Sequence, residues 1–272
     1  MEDPILLAQM AALLVVIGGF AGVLAGLLGV GGGIVLVPAF FYAFTALGFA
    51  GPQLMQICLA TSLATIIVTS IRSVQSHQRK GAVDWPILHG WALGIAIGAV
   101  LGMLAATQLR SVVLQGIFGV LGVFVGLYLA FGRPEWRLGD AMPIGPLRAV
   151  QSSVIGFLSV LMGIGGGSFA VPLMSLYGVA IHRAVATASG FGLLIAVPSV
   201  AGFLLLEVEA PPPLTIGAVN LPAFGIVIAT TLLTAPLGAR LAHAMDPKPL
   251  KRVFAVFIIA MALNMLRKAV GF

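Results

Sequence analysis

Charge is scarce in this chain: 8% of its 272 residues are Asp, Glu, Lys or Arg, while 60% are apolar. That leaves too little polar surface to cover a soluble globule of this length, so lipid is the expected solvent. Cysteine occurs once, at Cys58 within an apolar run, which excludes both a disulfide framework and a thiolate metal site. No metal, redox group or other cofactor is expected. The basic residues behind the net charge of +6 are spread over short connectors instead of sharing one polar face, and this argues against a nucleic-acid partner. No Lys-Ser or Lys-Thr follows a glycine cluster and no strand precedes one, so nucleotide and dinucleotide loops are excluded as well.

What is present is apolar length. The runs 5–29, 53–71, 83–107, 112–131, 184–206, 217–239 and 250–271 are each long enough for a helix to cross about 30 Å of hydrocarbon, at roughly 20 residues per crossing. Strand-like alternation is missing, and helices are the other structure that satisfies backbone polar groups in lipid. The opening Met1-Glu2-Asp3-Pro4 is acidic, unlike the basic start of a secretory signal, so the first run is expected to remain as the first membrane helix.

Two glycine clusters interrupt this apolar sequence, Gly29-Val30-Gly31-Gly32-Gly33 and Gly163-Ile164-Gly165-Gly166-Gly167, each followed at the same distance by a proline, Pro38 and Pro172. Aligning the clusters aligns later landmarks. Ala60-Thr61-Ser62 falls near Ala186-Thr187-Ala188-Ser189, Gly81-Ala82-Val83-Asp84 matches Gly217-Ala218-Val219-Asn220, and Leu101-Gly102 matches Leu237-Gly238. The chain therefore reads as a repeat, with a first membrane half at 1–132, a linker at 133–144 and a second half at 145–272. After each cluster a short run, 34–48 or 168–180, is typical of a re-entrant segment, and three full spans follow.

Lysine and arginine in short connectors set sidedness. Arg72, Arg79 and Lys80, then Arg133, Arg137 and Arg148, then Arg240, Lys248, Lys251 and Arg252 form three basic groups, all expected in the cytoplasm. The second-half counterpart of the Arg72–Lys80 connector carries Glu207 and Glu209 instead, so it belongs on the opposite side. The expected fold is an all-α polytopic membrane protein of two inverted repeats. Each repeat holds a glycine-broken segment, re-entrant or doubly crossing, and three full helices. A parallel eight-span duplication is the competing topology; Arg267 and Lys268 fit the inverted arrangement poorly.

Glycine lets backbone approach a ligand and frees amides that need a partner at membrane depth. A helix starting near Ile34 or Ser168 would aim its unpaired N–H groups and positive dipole end at the break, a geometry that favours an anion. Gly31, Gly32, Gly33, Gly165, Gly166, Gly167 and Ser168 are therefore candidate substrate-binding residues. The hydroxyls of Thr61, Ser62, Thr187 and Ser189 could add hydrogen bonds without net charge. Thr65 and Thr69 read instead as hydroxyls bonded to their own helix. Gly22/Gly26, Gly94/Gly98/Gly102 and Gly122/Gly126 have the spacing of helix-packing glycines. His89, a few residues past Asp84, is the candidate for proton coupling.

The pattern Gly-Val-Gly-Gly-Gly-Ile-Val-Leu-Val-Pro at 29–38, repeated as Gly-Ile-Gly-Gly-Gly-Ser-Phe-Ala-Val-Pro at 163–172 with an Ala-Thr helix after each, resembles the TauE/SafE sulfite exporter family over nearly the whole chain. That resemblance implies a membrane protein moving sulfur-containing organic or inorganic anions. The expected function is thus a secondary transporter of the cytoplasmic membrane, exporting a sulfite- or sulfonate-like anion by alternating access. It is not expected to be an enzyme. Its partners would be a small anionic substrate and membrane lipid, and a homo-oligomer is allowed. An anion channel of the same fold is the alternative. An intramembrane hydrolase pairing Ser62 with His89 lacks an acid to orient the histidine.

Overall fold

In a membrane, a helix satisfies its own backbone and can present apolar side chains to the lipid. The computed structural model describes residues 4–28, 33–132, 136–244 and 247–271. Among them lie ten helices: α1 (Pro4–Leu28), α2 (Gly33–Ala46), α3 (Leu54–Gln78), α4 (Trp85–Gln108), α5 (Ser111–Phe131), α6 (Gly145–Leu161), α7 (Gly167–Leu176), α8 (Ile181–Phe203), α9 (Leu221–Ala244) and α10 (Pro247–Val270). The strands β1 (Thr215–Ile216) and β2 (Val219–Asn220) form a small antiparallel hairpin with Thr215 opposite Asn220. Six helices (α3, α4, α5, α8, α9 and α10) are long and apolar enough to cross a membrane. Leu93, Phe124, Leu233 and Val256 stand exposed on four of them, as side chains meeting hydrocarbon would.

The helices after the glycine breaks are short. α2 has 14 residues and α7 has 10; at about 1.5 Å per residue neither covers roughly 30 Å of hydrocarbon. Each carries its proline at the sixth position, Pro38 and Pro172, where the missing N–H removes one internal bond.

The end of α3 departs furthest from the sequence reading. The run 53–71 was to end before a basic connector, but α3 continues to Gln78. Hydropathy falls at Arg72 while the backbone has no reason to stop. It stops at Gly81, whose φ of +63° closes a Schellman turn: Ala82 N donates to His77 O (3.1 Å) and Gly81 N to Gln78 O (2.9 Å).

Packing exchanges elements between the halves: α1 lies on α9, α6 on α4, α8 on α3, and α10 on α5. Small residues allow the close approaches. Gly18 and Gly22 face Val227 and Thr231, Gly98 and Gly102 face Ser153 and Phe157, and Gly122 and Gly126 face Ala262 and Ile259. These contacts make α1 parallel to α9 and α4 parallel to α6, while α5 and α10 are antiparallel. α3 and α8 also run in opposite senses. Gln53, just before α3, donates to Glu207 O beyond the end of α8 and accepts from Glu209 N. At the other end, Asp84 beyond α3 pairs with Arg183 at the start of α8.

Candidate functional site

The second glycine cluster is a turn of defined geometry. α6 ends in a Schellman motif with Gly163 in the left-handed region (φ +62°), Ile164 N donating to Ser159 O and Gly163 N to Val160 O, both at 2.9 Å. After three more residues α7 begins at Gly167. Its first intrahelical bond is given by Ala170 to Gly166 O (2.7 Å), so the amides of Gly167, Ser168 and Phe169 lie ahead of it. Leu138 N donates to Leu176 O (2.8 Å). The end of α7 is thereby tied to the linker that leads into α6.

The last glycine of the first cluster meets the second break. A Cβ on Gly33, the first residue of α2, would lie 3.0 Å from both Gly163 O and Ile164 Cα. Ser62 of α3 secures this junction by donating to Gly163 O (2.7 Å). Beside it opens a cavity of about 580 Å³ that reaches Gly33, Gly165 and Gly167 at one end and Arg72, Ser76 and His77 at the other. Its wall along α3 is polar: Thr65, Thr69, Ser73 and Ser76 recur at helical spacing on one face. Ser189 of α8 and Thr231 of α9 add hydroxyls. No carboxylate is among the described lining residues. Leu59 of α3, Phe40 and Phe44 of α2 and Phe203 of α8 do not line the cavity and are fully buried.

The sequence candidates separate into groups. Gly33, Gly165, Gly167 and Ser189 line this cavity. Ser168 lines a second cavity, of about 410 Å³, on the other flank of α7. Gly166 lines neither; a Cβ there would come 2.8 Å from that of Phe191, so its role in the structure is close packing. Gly31 and Gly32 lie outside the described residues. His89 is exposed on α4, its ring 5.5 Å from that of Trp85, and touches neither cavity.

Thr61 and Thr187 do different work from that expected of them. Both are fully buried. Thr61 Oγ1 accepts from Asn220 N (3.0 Å) and Thr187 Oγ1 from Asp84 N (2.9 Å). Asn220 and Asp84 in turn cap α9 and α4, taking bonds from Ala223 N and Ile87 N. Each threonine thus holds the residue that caps a helix of the opposite half. Thr65 and Thr69 donate to backbone carbonyls of their own helix, as expected, yet their side chains also face the larger cavity. Arg72, Ser73, Ser76 and His77 were missed as site residues. Their spacing from Thr65 and Thr69 would have shown them, had the helix been carried past residue 71.

Comparison with known proteins places this architecture. Residues 14–265 match the profile of the sulfite exporter TauE/SafE family. A "probable membrane transporter protein" of Haemophilus influenzae is 31% identical over 259 residues, covering 94% of this chain and 98% of its own. A protein of the same description from Methanocaldococcus jannaschii is 26% identical over 93% of this chain and 94% of its own. One from Bacillus subtilis is 26% identical over 94% and 100%. No solved structure matches significantly.

Proposed function

The chain is a multi-pass membrane protein belonging to the sulfite exporter TauE/SafE family, and from that premise we propose that it is a secondary transporter exporting a small sulfur-containing anion. The substrate is of the sulfite or sulfonate class. The carrying observation is the larger cavity: it runs from Arg72 and His77 to the junction of Gly33 with the second glycine break, with hydroxyls on its wall and no described carboxylate. An anion entering it meets the Arg72 guanidinium and the Ser73 and Ser76 hydroxyls and, at the bottom, the leading end of α7, where unpaired amides and the helix dipole favour negative charge. A cation would meet the same field as a barrier.

The two halves act as inverted repeats in this proposal. The parallel register of α1 with α9 and of α4 with α6, and the opposite senses of α3 and α8, support that arrangement. With the Arg72–Lys80 end placed in the cytoplasm by its basic residues, the cavity is open inward and Phe40, Phe44 and Phe203 would seal the outer side. Rocking of the halves about the Gly33–Gly163 junction would alternate access. An inside-negative potential assists export by about 2.3 kcal/mol per charge per 100 mV, so no nucleotide is needed.

The test is flux of labelled sulfite and sulfoacetate in proteoliposomes of the purified chain. Saturable exchange is expected, with Arg72→Gln and Ser189→Ala raising KM several-fold and Gly33→Val, which wedges the junction, abolishing flux. Normal flux and KM in all three variants, each correctly folded, would refute the site; flux that never saturates would make the protein a channel.

A further inference from the structure

The second cavity takes no part in the proposed transport path, and its chemistry differs. It lies between the α5–α10 pair and α7, and its depth is apolar: Ile34, Val171, Phe254 and Ile258 are all buried. Its mouth is not. Trp136 and Arg137 of the linker line it and are exposed, an aromatic ring and a guanidinium at the level where a helix leaves the hydrocarbon. Just inside the mouth is Ser175, whose hydroxyl is shut from solvent and has no hydrogen-bond partner. Arg137 Nη1 donates to the carbonyl of this same residue (3.2 Å). No carboxylate is among the described lining residues.

We propose that this cavity binds one anionic phospholipid, one of its two acyl chains lying along α7 among Val171, Phe254 and Ile258 and its phosphate at Arg137. Three features select that occupant. The apolar depth formed by Ile34, Val171, Phe254 and Ile258 suits hydrocarbon. At about 410 Å³ the space falls within the range of roughly 300 to 1,000 Å³ that holds a ligand of many heavy atoms. The mouth pairs a positive charge, which attracts anionic headgroups at a membrane surface, with the Ser175 hydroxyl, which needs a partner of the kind a phosphate or ester oxygen supplies. The α7 helix, 10 residues long, stands beside the chain for about 15 Å at the usual rise. Gly167 and Val185 line both cavities, so the lipid would sit across a single turn of backbone from the larger one.

Trp136 supplies the readout. The protein is placed in vesicles containing a small fraction of phosphatidylglycerol, or separately phosphatidylcholine, brominated on the acyl chain, and the Trp136 signal is taken as the difference between the chain and its Trp136→Phe variant. Brominated phosphatidylglycerol should quench that signal at a several-fold lower mole fraction than brominated phosphatidylcholine. Arg137→Gln should bring the two lipids level, and Val171→Phe, which fills the depth, should remove most of the quenching at low mole fraction. If Val171→Phe does not assemble, Val179→Phe serves, with helical content and melting temperature as the check on folding. Equal quenching by both lipids, or a preference that survives Arg137→Gln, would overturn the proposal. So would a preference that survives filling of the cavity, because the lipid would then rest on the surface alone.

Discussion

Gly81–Asp84 and Gly217–Asn220 are the same connector built twice, and they differ in one atom's worth of chemistry. In both, the glycine has positive φ (+63° and +56°), the valine is buried, and the last residue caps the following helix while its amide is received by a threonine of the other half. In the first connector the remaining cap oxygen, Asp84 Oδ2, reaches Arg183 at 3.0 Å, with both side chains in contact with solvent. In the second, Asn220 is fully buried and its Nδ2 is spent on Pro213 O and Thr215 Oγ1. A carboxylate at position 220 would be a charge without water or a cation. The interlock between the halves is therefore common scaffold, and the side chain that completes it follows the solvent on its own side.

The connectors should separate most sharply at their glycines. A Cβ at Gly217 would fall 2.5 Å from Leu204 O, whereas nothing lies within 4 Å at Gly81. Gly217→Ala should cost about 2–5 kcal/mol, combining left-handed strain with overpacking. Gly81→Ala should cost about 1–2 kcal/mol from strain alone. Thermal unfolding in detergent measures both; equal losses would mean that the hairpin does not press on α8.

The capping residues come next. Asn220→Asp removes two donated hydrogen bonds and buries a charge, a loss of about 3 kcal/mol. Asp84→Asn keeps the cap acceptor and gives up a partly exposed ion pair, under about 1 kcal/mol. If the two substitutions proved equally mild, the burial contrast would carry no energy.

The threonines sharpen the comparison by setting scaffold against site. Thr61→Val leaves a buried Asn220 amide without its acceptor and should cost about 1–3 kcal/mol, with Thr187→Val nearer the lower figure because Asp84 N is only partly buried. Neither should change the KM for sulfite. Ser189→Ala is expected to do the reverse, raising KM with little loss of stability. A several-fold KM increase in Thr61→Val would return that hydroxyl to the substrate.

Much of this fold was legible in sequence because its signals are local. Apolar runs, the paired glycine–proline breaks and the starts of α2 and α7 near Ile34 and Ser168 need nothing beyond neighbouring residues. The repeat also singled out Thr61 and Thr187, but not their task. Their partners, Asn220 N and Asp84 N, lie in the opposite halves, and no periodicity within one half can show which helix crosses beside another. The polar stripe of α3 stayed hidden for a different reason. Hydropathy reports where hydrocarbon ends, and α3 continues about two turns beyond that point into a polar cavity wall.

The smallest expected effect bears on Arg183. Its side chain is 50% exposed and that of Asp84 19% exposed, so water and ions screen the pair over a Debye length of about 8 Å at physiological salt. Arg183→Gln should lower stability by no more than about 1 kcal/mol, and the gap from the unmodified chain should narrow as salt rises from 20 mM to about 500 mM, where screening is shorter still. That salt dependence is the informative part, since Asn220 has no charge to screen and Asn220→Ala should show none. A large, salt-independent loss in Arg183→Gln would mean that the guanidinium holds α8 against α4 as rigidly as the Asn220 amide holds its hairpin. The two connectors would then be equally structural, and the solvent on each side would no longer explain why one ends in Asp and the other in Asn.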